Sequence, residues 1–167
     1  MRDYESKIVG RKAMQAERTR LRREGKTVAF TNGCFDILHV GHVHLLSFAR
    51  SQGDVLIVGM NSDVSVRKFK GPKRPIVPQE DRVRLLAAME AVDYVVTFDE
   101  ERVDTLLAEL LPDVLVKGAD WGHDIHGRGV VEANGGRVVL APVIKGRSTT
   151  NIIGAILDIH KQAPPPA

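Results

Sequence analysis

The chain has 167 residues, 43% hydrophobic and 27% charged, a length and composition that predict one compact domain and exclude a second full one. The formal net charge is +3 and the sequence pI is about 9.2. Residues 1–25 hold eight Lys or Arg and four Asp or Glu, so this segment carries +4 and the remaining 142 residues carry −1. The basic pI therefore belongs to an N-terminal segment and not to a broad nucleic-acid-binding face.

Cysteine content and hydropathy exclude several further classes of protein. The single cysteine, Cys34, excludes an internal disulfide and a zinc site built on several cysteines. No apolar run approaches the roughly 20 residues of a membrane-spanning helix, and the first five residues lead into no apolar secretion signal. We therefore expect a cytoplasmic protein that has no membrane partner.

Residues 1–25 are predicted to be a basic, helical N-terminal extension. Residues 11–24 are rich in helix formers, and Gly25 follows them as the expected C-terminal cap. The favoured interpretation is a charged, solvated helix packed on the outside of the domain. Nucleic-acid binding through its basic side chains is the alternative, and we expect no nucleic-acid partner.

From Lys26 onward, short runs rich in Val and Ile alternate with segments of helical spacing. Five runs are predicted to be strands, namely 28–30, 55–58, 94–96, 114–116 and 138–140. Helical spacing is found from residue 43 to an end at Gly53, over residues 83–89 with a start at Pro78 and Glu80, and over 103–110. This alternation predicts an α/β domain over residues 26–162, with a Rossmann-like, doubly wound sheet of five parallel strands.

Two segments lack the signals of regular structure. Residues 71–75 combine glycine, proline and basic side chains and are predicted to form a mobile surface loop, with the basic cluster 67–74 lying on it. The cluster is either a solvated surface or a lid that closes on a phosphate. Residues 163–167, which include three prolines, are predicted to form an irregular tail.

The loop after the first predicted strand is where a ligand is expected, because ligands bind beyond the carboxyl ends of parallel strands. This loop, residues 31–42, contains neither of the common glycine-rich phosphate motifs. It has instead His39 and His42 on either side of Gly41 at a helix start, where N–H groups can bind phosphate. On spacing alone, phosphate binding and a capping or packing role both stay open. A metal site that also uses His44 is disfavoured, because His42 and His44 face different sides of a helix.

Residues 33–42 resemble the signature of the HxGH nucleotidyltransferase (cytidylyltransferase-like) superfamily, whose members join a nucleoside triphosphate to a phosphorylated acceptor. Residues 148–150 resemble the Ser-Thr-Thr element of the same family, and the resemblance covers about residues 27–160. Five further segments resemble the heptose 1-phosphate adenylyltransferase subgroup of this family, namely residues 61–63, 70–72, 74–78, 80–82 and 117–121.

The resemblance implies the nucleotidylyltransferase fold and transfer of AMP from ATP to D-glycero-β-D-manno-heptose 1-phosphate, which gives ADP-heptose and pyrophosphate for the lipopolysaccharide inner-core precursor pathway. A cytidylyltransferase acting on glycerol 3-phosphate or a similar alcohol phosphate is the alternative within this class. A module that binds ATP without turnover is the alternative outside it.

The resemblance also implies the residues of the site. The expected catalytic residues are His39, His42 and Lys70. The expected ATP-binding residues are Thr31, Asn32, Gly33, Cys34, Phe35, His39, Gly41, His42, Lys117, Gly118, Asp120, Ser148, Thr149 and Thr150. The expected sugar-phosphate-binding residues are Asp36, Asn61, Asp63, Lys70, Arg82 and Trp121.

Several of these assignments have alternatives. Arg82 could instead form a salt bridge on a helix surface, and Trp121 could pack in the core. Either Lys145 or Arg147 is expected to contact a phosphate, because related cytidylyltransferases carry a different sequence before Ser148.

The resemblance implies one cofactor and several partners. Mg²⁺ is expected to be carried mainly by the ATP phosphates, with no metal site of protein ligands. The expected partners are ATP and heptose 1-phosphate, a second copy of the chain in a homodimer, and a separate heptose 7-phosphate kinase and phosphatase in the pathway.

Overall fold

The computed structural model of the chain describes residues 3–122 and 125–162. Five strands form one parallel sheet, and they are β1 (Val28–Gly33), β2 (Val55–Asn61), β3 (Tyr94–Phe98), β4 (Val114–Gly118) and β5 (Arg137–Ala141). Their spatial order is β3-β2-β1-β4-β5. The chain therefore builds the sheet outward from β1 in both directions, and the predicted doubly wound parallel sheet is confirmed.

Across the described residues, seven α-helices connect and flank the strands. They are α1 (Arg11–Arg23), α2 (Val40–Arg50), α3 (Asp63–Lys70), α4 (Gln79–Ala87), α5 (Asp104–Leu110), α6 (Arg128–Ala133) and α7 (Thr149–Gln162), with short 3₁₀ helices at Tyr4–Lys7 and Ala119–Trp121. Within the described ranges, no helix has both the length and the apolar character needed to cross a bilayer.

Helix α3 corrects the prediction that residues 67–74 form a loop. Ser62 caps the helix by accepting a hydrogen bond from the Ser65 backbone N–H at 3.2 Å, and Val66 packs in the interior. Its last residue is Lys70, and Gly71 ends it with φ +93°. Only the turn that follows is irregular. Eight residues are too few to display a clear helical repeat, so the pattern alone did not reveal this helix.

The core lies on both faces of the sheet, as expected for parallel strands covered by helices. One face buries Ala29, Val58 and Val116 against α2 and α4. The other face buries Phe30 and Leu115 against α1, α5 and α6. Alternate residues of each strand thus point to opposite helical layers, and the residues at the ends of the strands continue this alternation.

Helix α1 lies against the second of these layers. Met14 and Leu21 are buried in the core cluster, and Arg18, 4% exposed, donates hydrogen bonds to the Asp113 carboxylate at 3.1 Å. Gly25, with φ +68°, ends the helix as predicted. The basic segment is therefore anchored to the domain by an apolar stripe and a buried arginine. The division of the chain at residue 25 stays a prediction, and the predicted tail 163–167 lies outside the described residues.

Candidate functional site

A cavity of about 630 Å³ opens at the carboxyl ends of the strands, where β1 and β4 lie side by side. Most of the predicted site residues line it. The predicted residues in its wall are Asn32, Gly33, Cys34, Phe35, Asp36, His39, Gly41, His42, Asn61, Lys70, Lys117, Gly118, Asp120, Trp121, Ser148, Thr149 and Thr150. Thr31, Asp63 and Arg82 are not part of the lining. Thr31 is fully buried within β1.

Helix α2 begins at the cavity with His39 as its N-cap. The Nδ1 atom of His39 accepts a hydrogen bond from the Gly41 backbone N–H at 3.1 Å. A neutral imidazole carries one proton, so the proton of His39 resides on Nε2, which is left as a donor. The rings of His39 and His42 are stacked with their centroids 3.8 Å apart. The capping and phosphate-binding interpretations of the motif are thus compatible.

Both imidazoles are held in their neutral form near pH 7. Burial, together with the smaller effect of the neighbouring His39, lowers the pKa of His42 to about 4. Burial also lowers the pKa of His39. The Nδ1 atom of His42 is buried and has no hydrogen-bond partner among the described residues. The pair can therefore offer hydrogen bonds to a ligand without adding a positive charge.

Gly41 is required by the histidine cap itself. A Cβ at this position would lie 2.9 Å from the Nδ1 and Cε1 atoms of His39. Any larger residue would push the His39 ring away from the helix end. The sequence suggested that Gly41 leaves room for a polyphosphate, whereas the contact that excludes a side chain here is with His39.

Helix α7 begins beside the start of α2. The Ser148 hydroxyl oxygen accepts a hydrogen bond from the Asn151 backbone N–H at 3.1 Å, and the Thr149 hydroxyl donates to the Ile37 carbonyl at 3.4 Å. Ser148, Thr149 and Thr150 all line the cavity. Two helix N-termini, with their unpaired N–H groups and partial positive charge, therefore converge on one end of the cavity.

Asp36 is hydrogen-bonded to other residues of the protein, and not exposed as expected for a residue that binds the sugar. It is 2% exposed, and its carboxylate accepts hydrogen bonds from Arg74 Nε at 2.6 Å and from the backbone N–H groups of Ile76 and Val77 at 2.9 and 2.8 Å. Burial disfavours its charged form, but these hydrogen bonds outweigh burial and lower the pKa of Asp36. Its oxygens are occupied, so Asp36 holds the loop before α4 in place.

Arg82 is also placed differently from the prediction. Its side chain is fully buried. Its guanidinium donates to the carbonyls of Cys34, Asn61 and Val77 at 2.5, 2.9 and 3.0 Å, and to the Asp63 carboxylate at 2.7 Å. Arg82 thus joins the ends of β1 and β2 to the loop before α4, and Asp63 is its partner. Neither residue lines the cavity, because the buried guanidinium of Arg82 in α4 binds backbone carbonyls left free at the ends of β1 and β2 and in the loop before α4.

Lys70 lies at the end of α3, in the cavity wall. Its ammonium is 4.4 Å from the centre of the Phe69 ring. The turn that follows is fixed at its far end by the ion pair of Arg74 with Asp36. Lys70 therefore belongs to a short basic segment, Lys68–Lys73, that is attached to the domain on both sides.

Lys117 forms the opposite end of the cavity. It is 2% exposed, and its ammonium donates a hydrogen bond to Asn32 Oδ1 at 2.6 Å and lies 4.8 Å from the centre of the Trp121 ring. Burial lowers the pKa of Lys117 to about 8. Trp121 is 37% exposed on the cavity wall and meets the edge of the His126 ring at 5.9 Å between centroids. Trp121 is therefore a residue of the cavity wall and not of the core.

The sequence missed part of the cavity wall. The additional lining residues lie after β3, before α6 and after β5, and they include Glu101, Arg102, Val103, His126 and Pro142. The rule that ligands bind at strand ends applies to these segments, but none carries a recognisable motif. Of the two basic residues left open before Ser148, Arg147 lines the cavity and Lys145 is not among the lining residues.

A protein-family model described as cytidylyltransferase-like matches residues 30–155. Among curated proteins, the bifunctional protein HldE of Syntrophotalea carbinolica is 50% identical over 161 residues, which cover 96% of this chain and 33% of that protein. The bifunctional protein HldE of Geobacter sulfurreducens is 56% identical over 138 residues, covering 82% of this chain and 28% of the relative. The chain thus spans about a third of the length of these relatives.

Solved structures share the architecture. The lipopolysaccharide core biosynthesis protein from Thermoplasma volcanium superposes with a TM-score of 0.60 at 25% identity, over 74% of this chain and 100% of that one. Pantothenate synthetase from Thermus thermophilus has a TM-score of 0.63 at 18% identity, over 87% of this chain and 67% of that one. The second similarity concerns the fold alone.

Proposed function

Because the chain belongs to the cytidylyltransferase-like family, we propose that it transfers AMP from ATP to D-glycero-β-D-manno-heptose 1-phosphate and releases ADP-heptose and pyrophosphate. The HldE relatives, at about 50% identity over most of this chain, support this activity. The similarity to the lipopolysaccharide core biosynthesis protein from Thermoplasma volcanium supports a place in lipopolysaccharide core biosynthesis.

The observation that carries the proposal is the convergence of two helix N-termini and two neutral imidazoles at one end of the cavity. A triphosphate presents many acceptor oxygens and several negative charges, and a cluster of N–H donors at two helix N-termini is suited to bind it. In the reaction, an oxygen of the acceptor phosphate attacks the α-phosphorus, the bond from that phosphorus to the bridging oxygen breaks, and its electron pair leaves with pyrophosphate.

The residues at this end act by positioning and by stabilising charge. The acceptor phosphate is already an anion, so the reaction needs no strong general base. His39 donates from Nε2, and His42 donates beside it, toward the negative charge that builds up around the five-coordinate phosphorus. The N–H groups at the starts of α2 and α7, with Ser148, Thr149 and Thr150, bind the β and γ phosphates. Lys70 and Arg147, which both line the cavity, add positive charge that stabilises the phosphates.

The nucleoside and the sugar occupy the remaining wall. We propose that backbone groups of residues 32–35 and of Gly118 and Asp120 border the nucleoside. Asn61 and Trp121 offer the acceptor a hydrogen-bonding group and an apolar face. Asp36, Asp63 and Arg82 serve the site indirectly, by fixing the loops that contact the substrates.

Mg²⁺ is proposed to arrive with the triphosphate. Among the residues that the structure describes, no group of three His, Cys, Asp or Glu side chains is arranged to hold a metal ion. Mg²⁺ keeps several of its waters and needs few protein ligands, so phosphate oxygens and water can hold most of its coordination sphere. When bound, the ion neutralises phosphate charge, and the chain's own part is to orient the phosphates. The homodimer, the cytoplasmic location and the separate kinase and phosphatase stay predictions.

Pyrophosphate release tests the proposed function. Purified protein is incubated with each combination of ATP or CTP and heptose 1-phosphate or glycerol 3-phosphate. Release with ATP and heptose 1-phosphate is the expected result. Release only with CTP and glycerol 3-phosphate would establish the alternative transferase. Binding of ATP without release in any combination would establish a nucleotide-binding module.

A further inference from the structure

Lys117 is a buried cation that has no anionic partner in the part of the chain the structure describes. Its ammonium has three N–H groups, one of which is used by Asn32. The Trp121 ring contributes a cation–π contact, and Asp104 exerts an electrostatic influence on the ammonium without an ion pair to it. Burying an uncompensated charge is costly, so such a group in a cavity wall is a candidate for binding an anionic ligand.

The alternation of the strands puts Lys117 on the opposite side of the sheet from the histidines. Asn32 and Lys117 continue the rows of Phe30 and Leu115, which face α5 and α6. The histidines belong to α2, which packs with Phe35 on the other face. The cavity crosses the sheet edge between these two rows. The donor-rich end at α2 and α7 and the cationic end at Lys117 therefore lie on different sides of the sheet.

This separation matches a requirement of the reaction. In an in-line displacement, the attacking oxygen and the departing pyrophosphate lie on opposite sides of the α-phosphorus. Where the triphosphate is bound by the starts of α2 and α7, the attacking phosphate must approach from the side away from those helices. Lys117 is a buried cation in the cavity wall on that side.

We infer that Lys117, positioned by Asn32 and Trp121, binds the phosphate of the sugar 1-phosphate acceptor. The inference rests on the proposed function and replaces the expectation that Lys117 binds ATP. Asn32 and Trp121 act through Lys117, the first by fixing its ammonium with a hydrogen bond and the second by covering it. The ammonium holds the acceptor phosphate in place for attack on the α-phosphorus.

Binding of each substrate to Lys117→Met tests the inference. Met has a similar volume and no charge, so the variant removes the ammonium while filling its space. Calorimetric titration with heptose 1-phosphate, in the presence of a nonhydrolysable ATP analogue and Mg²⁺, is expected to show a Kd at least about tenfold higher than that of the wild type. The Kd of the ATP analogue itself is expected to change less than about twofold. Lys117→Arg should recover part of the acceptor affinity, and Lys12→Met on the exposed surface of α1 is the matched control.

The outcomes separate the inference from the proposed function. A weakened affinity for the ATP analogue in Lys117→Met, or equal acceptor affinity in wild type and variant, overturns the inference even when the wild type turns over. A wild type that binds heptose 1-phosphate without releasing pyrophosphate contradicts the proposed function, while the comparison of Kd values still decides the role of Lys117. A wild type that does not bind heptose 1-phosphate overturns both. Thermal unfolding of each variant verifies that it is folded.

Discussion

The two ends of the cavity are built on different electrostatics. At the α2 and α7 end, the donors are backbone N–H groups and two imidazoles that burial keeps neutral. At the β4 end, a single buried ammonium lies among Asn32, Trp121 and the rest of the wall. Dipoles and neutral donors can accommodate a ligand of high charge without repelling one another in its absence. A lone buried cation is suited to a smaller anion and makes the empty site less stable.

We expect the α2 and α7 end of the cavity to contribute more to the chemical step than the β4 end. Replacement of His42 by Ala removes a donor aimed at charge that develops in the transition state. We expect kcat to fall by about 10²–10³-fold, with the Kd of an ATP analogue within about threefold of the wild type. Steady-state pyrophosphate release and calorimetry measure the two quantities. His44→Ala is the control, because His44 is on the same helix but does not line the cavity. A kcat of His42→Ala close to that of wild type would remove this residue from the mechanism.

The role of Asp36 distinguishes a residue that supports the site from one that contacts the sugar. In Asp36→Asn, the amide group meets the N–H donors of Arg74, Ile76 and Val77, and the charge that attracts them is lost. We expect the free energy of unfolding to fall by about 2 kcal/mol, with a Tm lower by about 4–8 °C. The KM for heptose 1-phosphate should stay within about threefold. An unchanged Tm with a strongly raised KM would restore the predicted contact with the sugar.

The pH dependence of acceptor binding isolates the second end. Since burial lowers the pKa of Lys117 to about 8, the side chain is charged below that pH and loses its proton above it. The KM for heptose 1-phosphate is therefore expected to be flat below pH 8 and to rise by about tenfold per pH unit above it.

The charged and titratable groups on the same wall are Glu101, Arg102, Asp120 and His126, and Asp104 acts electrostatically on Lys117 from outside the lining. Lys117→Arg separates them from Lys117, because a guanidinium stays charged throughout this range. The rise above pH 8 should disappear in that variant. Its persistence would assign the pH dependence to another group.

The smallest expected effect is on stability in the absence of ligands. Lys117→Met replaces a desolvated ammonium with an apolar side chain of similar volume, which relieves the cost of burying the charge. We expect the free energy of unfolding to rise by about 1 kcal/mol and the Tm by about 2–4 °C. Differential scanning calorimetry of the free protein measures this change. A lower Tm would show that the hydrogen bond from Lys117 to Asn32 stabilises the fold more than burial destabilises it.

Much of the fold was predictable because its signals are local. Each strand is a contiguous apolar run, and α1, α2, α4 and α5 display their helical spacing within one segment. The family match over residues 30–155 confirms the resemblance that the histidine motif and the Ser-Thr-Thr element indicated. Helices α3 and α6 were missed because eight and six residues hold too few turns to show a repeat.

The sequence by itself determined the five-stranded parallel sheet and the location of the donor-rich end of the cavity. A helix N-terminus and the residues beside it are encoded in adjacent positions, so the chemistry of residues 39–42 can be deduced before folding is known. The partners of Asp36, Arg82 and Lys117 were decided by the tertiary structure alone. Asp36 meets Arg74 across 38 positions, and Lys117 meets Asn32 across 85. A charged residue at a strand end can face a ligand or close the framework, and which of these it does depends on the groups that the folded sheet brings within hydrogen-bond distance.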